Sequence, residues 1–238
     1  MLMRQAIVCS PGSRALKDNE LISSSDGVDD GLARALCQWS PGRSGFALGQ
    51  KQSLNFFQPD ENTYAISRSA GGLGNDQVEG RRVISKIVLF SADQLNGYGN
   101  NVAILFHVLH SAGLMMLSTS SPSKLPMLEI PDRGFEALAE FSRSEFSGET
   151  ERLVHAVAMH RRVVVLGLKN PLSFMCGFLS RVPEPAKLEF SFATGLKVDD
   201  DRQFTLQFFP ESEPDLIKEL AARQIRTISL DSNPILLY

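Results

Sequence analysis

Four residues of this chain have the chemistry to hold a small polar ligand: Arg68, Arg81, His107 and His110. The two imidazoles are three apart within an apolar run, which puts them on one stripe of a helix together with Asn100 and Ser111. Two imidazoles facing one way could share a metal ion, but zinc sites take three or four protein ligands and no acidic residue adjoins the pair at helical spacing. A polar helix edge is the plainer reading, and a ligand or substrate pocket the sharper one. No metal or other cofactor is expected. His155 and His160 are five apart, on different helix faces, and read as solvated or capping residues.

A second candidate lies upstream. Gly71-Gly72-Leu73-Gly74-Asn75 followed by Arg81-Arg82 could cradle an anion, because glycines let backbone N–H groups converge and arginines grip oxyanions with two prongs. A phosphate loop needs a strand before it, a helix after it and a Gly-Lys-Ser/Thr ending. Here a strand follows the glycines, so a surface loop competes with an anion or partner contact made by Arg68, Gly71, Gly72, Gly74, Arg81 and Arg82. The arginines flank the loop on strands expected to pair, which would bring them within mutual reach.

The remaining polar features have plainer explanations. Asp26, Asp29 and Asp30 precede an amphipathic run and suit a helix N-terminus better than a calcium loop. Asp199-Asp200-Asp201 sits between two strand-like runs and reads as an inert, solvated turn. Cys9 and Cys37 lack a neighbouring histidine and read as small core residues. Ser10-Pro11-Gly12-Ser13 is a turn, and the Gly-x-Ser-x-Gly pattern of a nucleophile elbow is absent.

Length and composition limit the classes open to the chain. Its 238 residues, 43% hydrophobic and 21% charged, suffice for one large domain or two small ones with a real core. Twenty-four basic and 27 acidic residues give a formal charge of -3, without the positive field that non-specific nucleic-acid binding draws on. Three cysteines, far apart, do not make a disulfide framework. The start, Met1-Leu2-Met3-Arg4-Gln5-Ala6-Ile7-Val8, reads as a strand and not a signal peptide, and the apolar run 102–117 is shorter than the ~20 residues of a membrane span. A cytoplasmic location and no membrane partner are the expectations.

The elements that must position these residues follow from the patterning. A helix is expected after Asp26 and Asp29, ending near Trp39 before Pro41-Gly42. Residues 52–57 and 63–67 read as a hairpin around Pro59-Asp60-Glu61-Asn62; 83–90 reads as a buried strand, and 102–117 as a core helix. The Ser- and Pro-rich stretch 118–126 marks a boundary. Beyond it, Phe135, Leu138, Ala139 and Ser142 keep helical spacing, as do Leu153, Val154, Val157 and Ala158. Residues 162–166 read as a strand, 171–179 as a helix, 188–192 and 204–208 as a second hairpin, 213–223 as a helix and 226–230 as a last strand. The expected class is α+β, mixed strands and hairpins with packed helices, in two subdomains: 1–117, and 127–238 with helices and a C-terminal hairpin.

The Gln5-Ala6-Ile7-Val8 start, the Ser24-Ser25-Asp26-Gly27 helix entry, the Thr63-Tyr64-Ala65-Ile66-Ser67-Arg68 strand and Gly80-Arg81-Arg82-Val83 running on to Gly99-Asn100-Asn101 resemble the N-terminal domain of bacterial GTPase-associated proteins over residues 1–117. The resemblance implies an accessory module of a multi-component, often defensive, system in which a separate GTPase or effector carries the chemistry. On this basis the chain is expected to be a non-catalytic adaptor or regulatory module that binds another protein. The alternative is a small-molecule or nucleotide-handling enzyme with a pocket around Arg68, Arg81, His107 and His110. Convergence of those side chains in one concave pocket favours the enzyme or ligand reading; scatter over convex surface favours the adaptor.

Overall fold

The computed structural model describes residues 1–10, 19–72, 82–118, 122–130 and 147–230. Its fold is α+β, as the patterning predicts, organised around one mixed sheet. Five antiparallel strands come from the first half: β1 (Leu2–Ser10), β2 (Glu20–Ser24), β3 (Gln52–Asp60), β4 (Thr63–Gly71) and β5 (Val83–Phe90). A two-residue β6 (Leu128–Glu129) adds to β1 at Leu2 and Met3. Four strands from the second half are mutually parallel: β7 (Val163–Leu166), β8 (Phe192–Thr194), β9 (Leu206–Phe209) and β10 (Arg226–Ser229). The two sets join where β8 lies antiparallel to β3, Phe192 opposite Phe56, so the order is β10-β7-β9-β8-β3-β4-β5-β1-β2.

Local chemistry places the helices. The Asp29 carboxylate accepts from the Leu32 amide at 2.8 Å and starts α1 (Asp30–Trp39), and the Ser40 hydroxyl donates to Leu36 O at 2.8 Å where it ends. Ser91 and Gln94 form a reciprocal capping box on α2 (Ala92–Asn96). Asn101 accepts from the amides of Ala103 and Ile104 to open α3 (Val102–Ser111). After α4 (Ser147–Met159), Asn170 caps α5 (Pro171–Leu179), whose first-position proline has no amide to leave unpaired. A short α6 (Glu184–Lys187) and then α7 (Pro214–Ala222) complete the set.

The sheet is buried on both faces. On one, Leu54, Phe56, Ile66, Val88 and Phe90, with Val165 and Phe208 from the parallel strands, pack in one cluster with α3, α4 and α5 through Leu105, Leu153 and Phe174. On the other, Ala6, Phe57, Ala65 and Ile87 pack with Leu32 and Leu36 of α1, while Val164, Leu166 and Phe209 meet Leu220 of α7. This double covering is why β5 is buried at every position.

Two expectations on the second half have different outcomes. Residues 188–208 do not form a hairpin: β8 and β9 are parallel, Phe192 beside Leu206. Period-two alternation is the same in both arrangements, and connection length decides between them; 195–205 is long enough for the crossover that parallel neighbours need. The helix expected around Phe135 to Ser142 lies outside the described residues. Neither β2 nor α2 was marked by the pattern.

Candidate functional site

Arg68 is the centre of the site. In register it lies between Leu54 of β3 and Lys86 of β5, so its side chain projects from the face that α3 covers. One terminal nitrogen donates to Gln52 Oε1 at 3.1 Å and the other to Met115 O at 3.4 Å, both neutral acceptors. The buried stripe Val102, Leu105, Phe106 and Leu109 seats α3 on the sheet and leaves His107 and His110 on its exposed rim, above Arg68. Phe106 and His110 lie with ring centres 5.8 Å apart. Asn170, Pro171 and Leu172 at the start of α5 close the third side, and Thr194 at the end of β8 the fourth, its hydroxyl accepting from the Leu54 amide at 2.9 Å. Asn101 ties the two helices together by donating to Cys176 O at 3.3 Å. The cleft is open to solvent along the His107–His110 rim and has a volume of about 300 Å³.

Three of the four residues expected to share a pocket therefore meet: Arg68, His107 and His110. Arg81 lies outside the described residues, as does Gly74. The strands flanking the glycine loop pair as expected, and the Gly72 amide (φ +81°) donates to Arg82 O at 3.1 Å. That register puts Arg82 opposite Gly72, four positions along β4 from Arg68, about 13 Å of strand. Arg82 is exposed there, beside Cys9, and Gly71 ends β4 against Phe46 and Val83. Gly71, Gly72 and Arg82 are thus at the sheet's end, and none of them lines the cleft.

Sequence reasoning missed Gln52, Asn170 and Thr194. Asn170-Pro171 directly after the apolar run 163–166 carried a signal, since an Asn before a Pro marks a helix start and helix starts following parallel strands point toward ligand crevices. Gln52 and Thr194 carried none.

Lys86 is the adjacent buried cation, 8% exposed. Its amine donates to Gln5 Oε1, and Gln5 in turn donates to Pro126 O at 2.6 Å. Burial lowers the pKa of this amine from its ordinary 10.5. Between the folded and the higher unfolded value the unfolded chain binds more protons, so folding stability rises with pH toward 10.5. Lys86→Met should abolish that rise. Urea denaturation of both proteins across the alkaline range checks it; a constant difference in stability between them would show that the amine is solvated.

Other groups have structural work. Burial pushes the Cys9 and Cys37 thiols up, against small opposing contributions from Arg82 and the Leu21 backbone, which disfavours the nucleophilic thiolate. Burial likewise pushes the Asp199 carboxyl up, but the Arg202 guanidinium at 2.7 Å and the Asp201 amide at 2.9 Å outweigh it and hold it below its usual value. The Asp199–Asp201 turn is therefore an anchor for Arg202 and Arg162, not an inert loop. A second cleft of about 340 Å³ lies at the end of β9 beside α7, rimmed by Glu211, Glu213, Asp215 and Glu219. Glu219 pairs with Arg223 at 3.0 Å, while Glu213 and Asp215 suit the positive start of α7.

Among the described residues no group of three His, Cys, Asp or Glu is placed to hold a metal ion, and no helix is long and apolar enough to cross a membrane. No family model matches the chain, and neither the curated proteins nor the solved structures give a match.

Proposed function

We propose that the protein is a non-catalytic regulatory module that holds a small molecule in the Arg68–His107–His110 cleft and transmits its occupancy to a partner protein. One observation carries this reading: residues far apart in sequence, on β4, α3 and the start of α5, line one concave space. The cleft stands where the parallel strands meet the antiparallel ones, beside the carboxyl end of β8, which is where open sheets receive ligands. Its lining offers donors and an apolar wall, a fuller set for binding than for catalysis, since among the described residues no carboxylate in it could orient a histidine base. The resemblance of residues 1–117 to GTPase-associated modules makes a GTPase or effector component the proposed partner.

Native mass spectrometry of the protein purified from cells tests the reading. A bound mass of small-molecule size is expected, lost in Arg68→Ala, with a melting temperature shifted little because an exposed or half-exposed arginine contributes only about 0–1 kcal/mol to folding. A ligand retained undiminished by Arg68→Ala would place binding outside the cleft.

A further inference from the structure

We infer that the ligand of this cleft is a phosphate monoester with a compact apolar or planar body. The inference rests on the ligand-binding reading above and adds the chemical class.

The lining is one-signed. Arg68, His107 and His110 contribute nitrogen donors, and among the described residues no Asp or Glu lines the space, whereas the second cleft carries four carboxylates beside Lys197 and Arg223. An arginine with only neutral partners among the described residues keeps part of its five-donor fork for an incoming oxyanion, and guanidinium and phosphate match in a two-pronged geometry. Lys86 stands directly across β4 and β5 from Arg68, also hydrogen-bonded to a neutral oxygen, so two cations occupy adjacent positions on one sheet face. The Lys86 amine is turned toward Gln5 and does not line the cleft, so Arg68 is the cation that a ligand meets there. The α5 start adds to this field: a nine-residue helix presents its positive end at Asn170, Pro171 and Leu172.

The rest of the cleft sets the body of the ligand. Leu54 beside Arg68, Phe106 beside His110, and Leu172 at the start of α5 give the cleft an apolar wall among the donors, and Gln52 and Thr194 offer further polar atoms. A volume of about 300 Å³ is at the small end of ligand sites, enough to seat one phosphoryl group and a ring.

Titration calorimetry on the full chain tests this with phenyl phosphate and AMP against their dephosphorylated counterparts, phenol and adenosine, and against benzoate and inorganic phosphate. At least one phosphate ester should bind more tightly than its counterpart by about tenfold or more, the contribution of a charge-assisted pair. Inorganic phosphate should bind more weakly than that ester, because it leaves the apolar wall unused. Arg68→Ala should remove the advantage of the phosphate, and Arg68→Lys should restore part of it. Thermal melts establish that the variants fold; if Arg68→Ala does not, Arg68→Lys and His110→Ala supply the comparison.

Failure of both esters to bind at millimolar concentration overturns the inference, as does an ester whose affinity ignores Arg68 and His110. Binding of benzoate, phenol or adenosine in the cleft without a gain from phosphate overturns the inference but leaves the ligand-binding reading standing. A cleft that takes none of the probes, in a protein that carries no co-purified small molecule, overturns both.

Discussion

Gly195→Ala should destabilise the protein by about 3 kcal/mol or more, although it adds one methyl group. Gly195 follows β8 with φ +66°, a conformation that costs L-residues roughly 1–2 kcal/mol. A Cβ there would overlap Gln52 O, a backbone atom of β3 that cannot swing aside. Retreat is blocked as well, because the Ala47 amide donates to Gly195 O at 2.9 Å and the Gly195 amide to Phe208 O at 3.4 Å. Overlap with a pinned backbone adds a further 1–3 kcal/mol of the kind that overpacking produces. Gly49→Ala is the control: its φ is +73° but nothing lies within 4 Å of an added Cβ, so only the conformational cost of about 1 kcal/mol remains. Urea midpoints of the two variants make the comparison. Equal losses would mean that the β8–β3 junction can open at Gly195 without strain. Because Gln52 and Thr194 line the cleft, a surviving Gly195→Ala protein should also bind its ligand poorly.

The junction that Gly195 serves was the least legible part of the sequence. Elements held by local chemistry could be read directly: Asp29 capping α1, Pro171 opening α5, the turn between β3 and β4, the unbroken apolar run of β5. What alternation cannot state is which strand a strand will meet. The runs ending in Phe192 and beginning near Leu206 carry the same period whether they pair as a hairpin or through a crossover, and they took the crossover. The site divides along the same line. His107 and His110 were readable as a pair because helical spacing is local, and Arg68 because it flanks the glycine loop at the end of a readable strand. Their meeting depends on α3 crossing the face of β4, and the partners Asn170 and Thr194 depend on where β7 and β8 land, none of which is encoded within a short window. Arg82 is the converse case: it follows the glycine loop in the sequence, and the ladder register sets its backbone four positions along β4 from that of Arg68.

Phe56→Ala should be the second large loss, about 3–5 kcal/mol for deletion of a buried ring. Phe56 is 1% exposed and stands between Tyr64, Phe90 and Phe192, with ring centres at 6.0, 6.4 and 6.0 Å. Phe192 carries the contact on to Phe208 at 6.4 Å, so one aromatic chain runs from the antiparallel strands into the parallel ones. The loss should therefore fall on both halves at once. Trp39, the single tryptophan, reports this from the opposite face: it stacks on Phe57 at 4.8 Å and meets Phe204 edge-on at 5.2 Å, one residue from each half. In urea, Trp39 fluorescence and far-UV circular dichroism should lose their folded signals together, and Phe56→Ala should move both midpoints equally, as a two-state unit requires. Separate midpoints, with fluorescence unmoved while the helical signal shifts, would mean that the halves unfold independently and that the β3–β8 seam is a contact between units and not a shared core.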